Sequence, residues 1–192
     1  MTLDDDAAGR PGTEAAGRRD AVLESALATF SRFGYRKTSM DDVAAAAHIS
    51  RPGLYFLFRT KEALFRAAVS RSLEADLAAA DRILADTDQP LPDRLLDAFQ
   101  QWTGRYLGAL ADISVVIEDN PALLGPVVDE APRRFATLVT EAVAAGPPGA
   151  DPARAEAVAQ TLISTSVGLK HQVDDPGTYR ERLAVAIRLV LR

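Results

Sequence analysis

Val22–Leu64, VLESALATFSRFGYRKTSMDDVAAAAHISRPGLYFLFRTKEAL, is the stretch whose reading decides the fold. Val22, Leu23, Ala26, Leu27, Phe30 and Phe33 recur at helical spacing, and Gly34 follows where a left-handed C-terminal cap is wanted, so a first helix ends there. Ser39 opens a second helix: its hydroxyl accepts from the backbone N–H of Asp42 while the Asp42 carboxylate reaches back, a capping box of the S-x-x-D kind, with Met40, Val43, Ala44 and Ala47 as the buried stripe. After His48 and Ile49, Ser50 is the next N-cap, and Pro52 is tolerated in the first turn of a third helix through Leu54 and Tyr55. Two short helices joined so tightly cross steeply. The first helix must then shield their apolar faces, which leaves the third exposed.

Through Phe33-Gly34-Tyr35, Thr38-Ser39-Met40, Val43-Ala44, Ile49-Ser50, Leu54-Tyr55, Phe58 and Lys61-Glu62-Ala63-Leu64 the chain resembles the N-terminal domain of the tetracycline-repressor (TetR) family of bacterial transcriptional regulators. Two positions depart from that family's pattern. His48 stands in the turn where Gly is usual, and histidine enters the left-handed region more readily than most residues, at some strain. Gly53 replaces a small hydroxyl residue, and Phe56-Leu57 follow Tyr55 where His-Tyr is common, so base preference does not carry over from relatives.

The rest of the 192-residue chain reads as helices with clear punctuation, and the expected fold class is all-α. Thr60 caps a long fourth helix with Val69, Leu73, Leu77, Ala80 and Leu84 on one stripe, ending near residues 86–89, about 40 Å at roughly 1.5 Å per residue. Pro90 and Pro92 start a helix with stripe Leu95, Phe99, Trp102, Tyr106 and Leu110, and a short helix over Ile113–Asp119 follows. The segment to Ala145 is helical, broken or kinked at Pro126 and Pro132; Gly146–Gly149 is a loop; two last helices cover Pro152–Val173, with stripe Val158, Leu162, Thr165 and Leu169, and Thr178–Leu191. The domain reading is a flexible tail over 1–17, a helix-turn-helix domain over 18–64 and an effector-binding and dimerisation domain over 65–192.

Composition narrows the function classes. With 47% apolar residues the chain can bury a small domain and a larger one. The absence of cysteine excludes disulfides, thiolate catalysis and thiolate metal sites, and suggests a reducing compartment. No run approaches the roughly 18 apolar residues of a membrane span, and the chain starts with Asp4-Asp5-Asp6 rather than a basic leader, so a soluble cytoplasmic protein without membrane association is expected. The net charge of −5 divides unevenly: residues 18–66 carry +4 and the remainder −9. Clustered Arg and Lys supply sequence-independent affinity for DNA, so the local excess matters more than the whole-chain balance. An all-helical enzyme using Glu118 and Asp119 is the rival from another class. Neither nucleophile elbow, phosphate loop nor HExxH is present, and that acidic pair reads better as a helix end before Asn120-Pro121. No catalytic residue, metal or cofactor is expected.

The resemblance implies roles. Thr38 and Ser39, at a helix N-terminus, and Lys61, at the start of the fourth helix, would hold phosphates. Ser50, Arg51, Pro52, Gly53, Tyr55 and Phe56 lie on or beside the recognition helix. There Arg51 would bridge guanine O6 and N7, Tyr55 would bond a phosphate, Gly53 would allow close backbone approach, and Phe56 would either pack inside or meet a thymine methyl. The family pairs through its last two helices, which makes Leu162, Leu169, Leu183 and Ile187 candidate contacts of a homodimer and the operator a palindrome, although packing on the protomer's own core gives the same periodicity. An effector pocket would be lined by Phe99, Trp102, Tyr106 and Phe135, with His171 as a polar group, and would suit a largely apolar small molecule. Activation, or a partner-binding role without a small ligand, is the alternative to ligand-released repression.

Overall fold

The computed structural model describes residues 11–107, 121–145 and 151–192, and every described element is helical. The chain divides into two compact units between Ala68 and Val69.

The first unit holds α1 (Pro11–Phe33), α2 (Met40–Ala46), α3 (Arg51–Leu57) and the opening turns of α4 (Lys61–Ala85). Helix α1 begins at Pro11, so residues 11–17, expected within a flexible tail, are helical; proline suits a first helical turn, where its missing N–H costs nothing. Val22, Leu23, Ala26 and Phe30 of α1, Met40, Val43 and Ala44 of α2, Leu54 of α3, and Leu64 and Phe65 of α4 form one core. Phe65 explains why the boundary falls after residue 68 and not after 64. Its ring meets Phe30 edge-on at 5.1 Å and Tyr35 at 4.7 Å, which binds two turns of α4 into this unit. Phe33, expected on the buried stripe, is 50% exposed with Arg32 against it, because the chain leaves the helix at Gly34 and Tyr35 supplies the inward ring.

The α1–α2 and α2–α3 turns of this unit each use a left-handed residue. Gly34 has φ +78° and donates its N–H to the Phe30 carbonyl at 2.9 Å. His48 has φ +53° and closes α2 as a Schellman motif, with Ile49 N–H bonded to the Ala44 carbonyl and His48 N–H to that of Ala45. Histidine thus occupies the place that glycine fills without strain. The expected caps are all formed: Ser39 and Asp42 make the reciprocal box, the Ser50 hydroxyl accepts from Gly53 N–H, and Thr60 Oγ1 accepts from Ala63 N–H.

The second unit holds the remainder of α4, α5 (Leu91–Trp102), a 3-10 turn (Gly104–Tyr106), α6 (Pro121–Leu124), α7 (Val127–Ala144), α8 (Pro152–Lys170) and α9 (Pro176–Val190). Helix α8 packs on both α7 and α9, and α9 also packs on α5. The α4 stripe Val69, Leu73, Leu77, Ala80 and Leu84 is buried as expected. Helix α5 stops at Trp102 and does not run on to Leu110, its end tightening into the 3-10 turn; Leu110, the helix expected at 113–119 and the 146–149 loop lie outside the described residues. Gly125, at φ +69°, separates α6 from α7; Pro126 is the α7 N-cap and Pro132 lies inside the helix. Asp151-Pro152 and Asp175-Pro176 are N-cap and first-turn pairs, so α9 starts before the expected Thr178.

Leu162, Leu169, Leu183 and Ile187, the candidate dimer contacts, are buried in this unit's own core with Leu95, Phe99, Phe135 and Tyr179, so that assignment is corrected. On α8 the buried stripe passes through Ser166 and not Thr165. Ser166 Oγ donates to Thr103 Oγ1 at 3.0 Å and shares a 2.7 Å bond with Tyr179 Oη, satisfying hydroxyls that would otherwise be costly inside an apolar core.

Since no atom lies within 4 Å of a Cβ added at Gly34, Gly34→Ala tests backbone strain alone and should cost about 1 kcal/mol. His48→Gly should have the opposite sign, raising stability by roughly 0.5–1 kcal/mol. Thermal or urea unfolding of the two variants beside the wild type checks both; equal losses would contradict the reading.

Candidate functional site

Helix α3 buries one residue, Leu54, while its C-cap Phe58 turns inward beneath Arg19. Of its other large residues, Leu57 is half-buried and the rest face outward. Arg51 and Pro52 are exposed, Tyr55 is 39% exposed, and Phe56, at 89%, is almost wholly in solvent, which resolves its position in favour of the surface. Arg51 and Tyr55 sit one turn apart with the guanidinium carbon 5.7 Å from the ring centroid, and Pro52 and Phe56 form the neighbouring ridge. Arg51 Nη1 also donates to Asp41 Oδ2 at 3.0 Å across the turn.

Ser50 and Gly53 act in shaping this surface. Ser50 Oγ takes the Gly53 N–H at 3.1 Å, and a Cβ at Gly53 would also stand 3.1 Å from that oxygen. Glycine therefore lets the cap close, a reason for it that the sequence reading had not offered.

The phosphate-binding assignments of Thr38 and Ser39 change. Thr38 is 2% exposed, and its hydroxyl donates to the Gly34 carbonyl at 2.9 Å, which takes it off the surface. Ser39 is exposed, but its hydroxyl donates to Asp42 at 2.6 Å and accepts from Asp42 N–H, while its own N–H donates to the same carboxylate at 2.8 Å. These bonds from Ser39 hold the Asp42 carboxyl below its ordinary range. Both hydroxyls are thus committed to the loop and helix start that they were expected to lend to a phosphate.

Lys61 is similarly engaged. Its ammonium donates to the carbonyls of Tyr35 at 3.1 Å, Thr38 at 3.1 Å and Arg36 at 3.5 Å and lies 4.6 Å from the Tyr35 ring centroid. Three carbonyls match the three donors of an ammonium, so Lys61 fastens the 34–39 loop to the start of α4. The expected phosphate contact is replaced by a loop anchor. Arg36 and Lys37, exposed on that same loop, are the basic groups left facing solvent there; the sequence reading counted their charge without giving them a role.

In the second unit the expected pocket residues divide. Phe99 and Phe135 are each 1% exposed and meet edge-to-face at 5.1 Å, so they are core and not pocket lining. Trp102 stacks on Phe135 at 4.9 Å and 11°, half-buried. Tyr106 is also half-buried and donates its hydroxyl to Asp76 Oδ2 at 3.0 Å. His171 is exposed at the C-cap of α8, removed from that role.

Asp76 is a group that sequence reasoning missed. It lies on α4, fully buried, and receives Gln101 Nε2 at 2.9 Å, the Tyr106 hydroxyl and the Arg105 guanidinium. Burial raises its carboxyl above the ordinary range, opposed first by the charge of Arg105. Its partners lie 25–30 residues along the chain, beyond the reach of any local pattern. A groove of about 500 Å³ lined by Glu74, Leu77, Ala78, Asp81, Arg134, Thr137 and Leu138 shares none of the expected aromatic residues.

Residues 22–68 match the family described as bacterial regulatory proteins, tetR family. The transcriptional repressor ComR of Escherichia coli (strain K12) is 35% identical over 81 residues, 42% of this chain and 39% of ComR, so the chain matches about two fifths of that relative's length. Over nearly the whole chain the likeness is one of fold. A TetR-family transcriptional regulator from Streptomyces coelicolor superposes with a TM-score of 0.61 at 24% identity, covering 92% of this chain and 89% of its own. A protein from Saccharomonospora viridis, solved in complex with choline, gives 0.72 at 17% identity, covering 90% and 96%. Sequence and geometry thus agree on the helix-turn-helix: residues 22–68 match the tetR family of bacterial regulatory proteins, and both units share the fold of solved TetR-family regulators.

Proposed function

We propose that the protein is a sequence-specific DNA-binding regulator of transcription, acting as a homodimeric repressor that a small-molecule effector releases from a palindromic operator. The observation that carries this reading is the outward face of α3. Leaving a Phe side chain in water forgoes about 2 kcal/mol of burial, and here it stands beside Arg51 and Tyr55 on a helix capped on both sides of the turn. Such a ridge fits a major groove: Arg51 bridges guanine O6 and N7, Phe56 meets a thymine methyl, and Tyr55 reaches a phosphate. Pro52 and the Ser50–Gly53 cap shape the end of the helix that approaches the bases. Arg36 and Lys37 supply loop contacts to the backbone, and the +4 balance of residues 18–66 gives the field that draws DNA in.

For the dimer, the core has taken Leu162, Leu169, Leu183 and Ile187, and the apolar residues that α8 and α9 leave outside are Val167, Val185 and Leu189. Two copies joining these faces form a four-helix interface, and two-fold symmetry in the protein matches a palindrome in the operator.

The effector is proposed to bind in the second unit, near Trp102 and Tyr106. The fold shared with a protein that holds choline supports a small-molecule role for this unit. A ligand of largely apolar character, favouring one arrangement of α4 over another, would change the spacing of the paired recognition helices. Only a difference in its affinity for the two arrangements drives release.

Genomic fragments from the source organism recovered by the purified protein at about 0.15 M salt should be enriched in a short palindrome; no enrichment from a folded, dimeric sample would contradict the reading. On that operator Arg51→Ala should relax base preference, losing about 1–3 kcal/mol of discrimination. Lys61→Met should weaken operator and scrambled duplexes alike and also lower thermal stability, because it frees the 34–39 loop. The double variant Val185→Glu, Leu189→Glu should halve the solution mass measured by light scattering while leaving the helical circular dichroism unchanged; a persistent dimer would move the interface elsewhere.

A further inference from the structure

Asp41 has no place in the function described so far, yet it faces the residue on which base reading depends. Its carboxylate lies in the first turn of α2, ten positions before Arg51, and takes Arg51 Nη1 at 3.0 Å. Neighbouring Asp42 is occupied by Ser39, so Asp41 is the first-turn acid of α2 that is paired with Arg51. Both partners of the pair are more than half exposed, 63% for Arg51 and 56% for Asp41, and an ion pair so exposed adds little to stability. Its effect is on orientation.

Resting on the DNA-binding reading, we infer that Asp41 is a specificity-determining residue: it holds the Arg51 guanidinium for base readout and withholds it from the phosphates. An arginine on an exposed helix turn samples many rotamers. Here the Asp41 carboxylate holds it from one side and the Tyr55 ring, 5.7 Å from the guanidinium carbon, from the other. With Nη1 on Asp41, the edge formed by Nε and Nη2 keeps the fork geometry that matches O6 and N7 of guanine. A free Arg51 would instead swing to the nearest phosphate, a contact of equal value on every sequence. The carboxylate also repels phosphate. It thereby lowers affinity for random DNA more than for the operator, where Arg51 regains a partner in the base.

The experiment measures affinity and its salt dependence for the full chain on the palindrome recovered from genomic fragments and on a scrambled duplex of the same composition. Asp41→Asn should bind the scrambled duplex more tightly, with the slope of log K against log salt steeper by about one, and the operator-to-scrambled ratio should fall roughly tenfold. Asp41→Glu, which restores the carboxylate, should recover the ratio to within about twofold of wild type. In an Arg51→Ala background, Asp41→Asn should have no further effect on the ratio. An unchanged ratio in Asp41→Asn, or an equal change with and without Arg51, overturns the inference while leaving DNA binding intact. Failure of the wild type to prefer any duplex overturns the DNA-binding reading and this inference with it.

Discussion

The first unit depends on one ammonium group. Lys61 ties the carbonyls of Tyr35, Arg36 and Thr38 to the start of α4, directly below the three-ring contact of Phe30, Tyr35 and Phe65. The 34–39 loop has no ladder of its own to satisfy those carbonyls, and carbonyls pointing into a partly buried space need a donor. By supplying it, Lys61 fixes the point at which α2 departs from α1. That direction in turn sets the crossing of α2 and α3, and hence which residues of α3 face outward. A charged group is thus kept for placement: it links two segments 23–26 residues apart with one side chain.

Helix α4 contributes to both units. Its first turns bury Leu64 and Phe65 in one core, and its later turns bury Leu77, Ala80 and Leu84 in another, all within a single helix from Lys61 to Ala85. Midway, Asp76 takes three donors from Gln101, Arg105 and Tyr106. A carboxylate buried with its partners adds less to stability than to choice of arrangement, because sliding the helix by a turn would strand the charge. The polar node therefore fixes the register of α4 against α5 and the 3-10 turn within the second unit.

Much of this was legible because it is local. Gly34 as a left-handed stop, Ser39 with Asp42, Ser50 before Pro52 and Thr60 before Lys61 each act over three or four residues, and each is found as the sequence reads. The strain at His48 was legible for the same reason. Roles that depend on depth were not. Thr38 and Ser39 have the chemistry to hold a phosphate, but whether a hydroxyl faces water or its own backbone depends on how the loop closes. Leu162, Leu183 and Ile187 keep the period that either a core or an interface would require, and only the neighbouring helices decide between them. Lys61 illustrates the middle case: its importance followed from position, whereas its partners came from a loop whose path no spacing rule gives.

Trp102 has a practical consequence. It is the one tryptophan in the chain, and it lies flat against Phe135, one residue from Gln101 and three from Arg105 of the Asp76 node. Indole emission from the unlabelled molecule is therefore a private signal of the second unit, silent about the helix-turn-helix, whose aromatic rings are Phe and Tyr. The protein carries a built-in fluorophore at the stacked end of α5, so loosening of the second unit can be followed optically without a dye or an engineered residue.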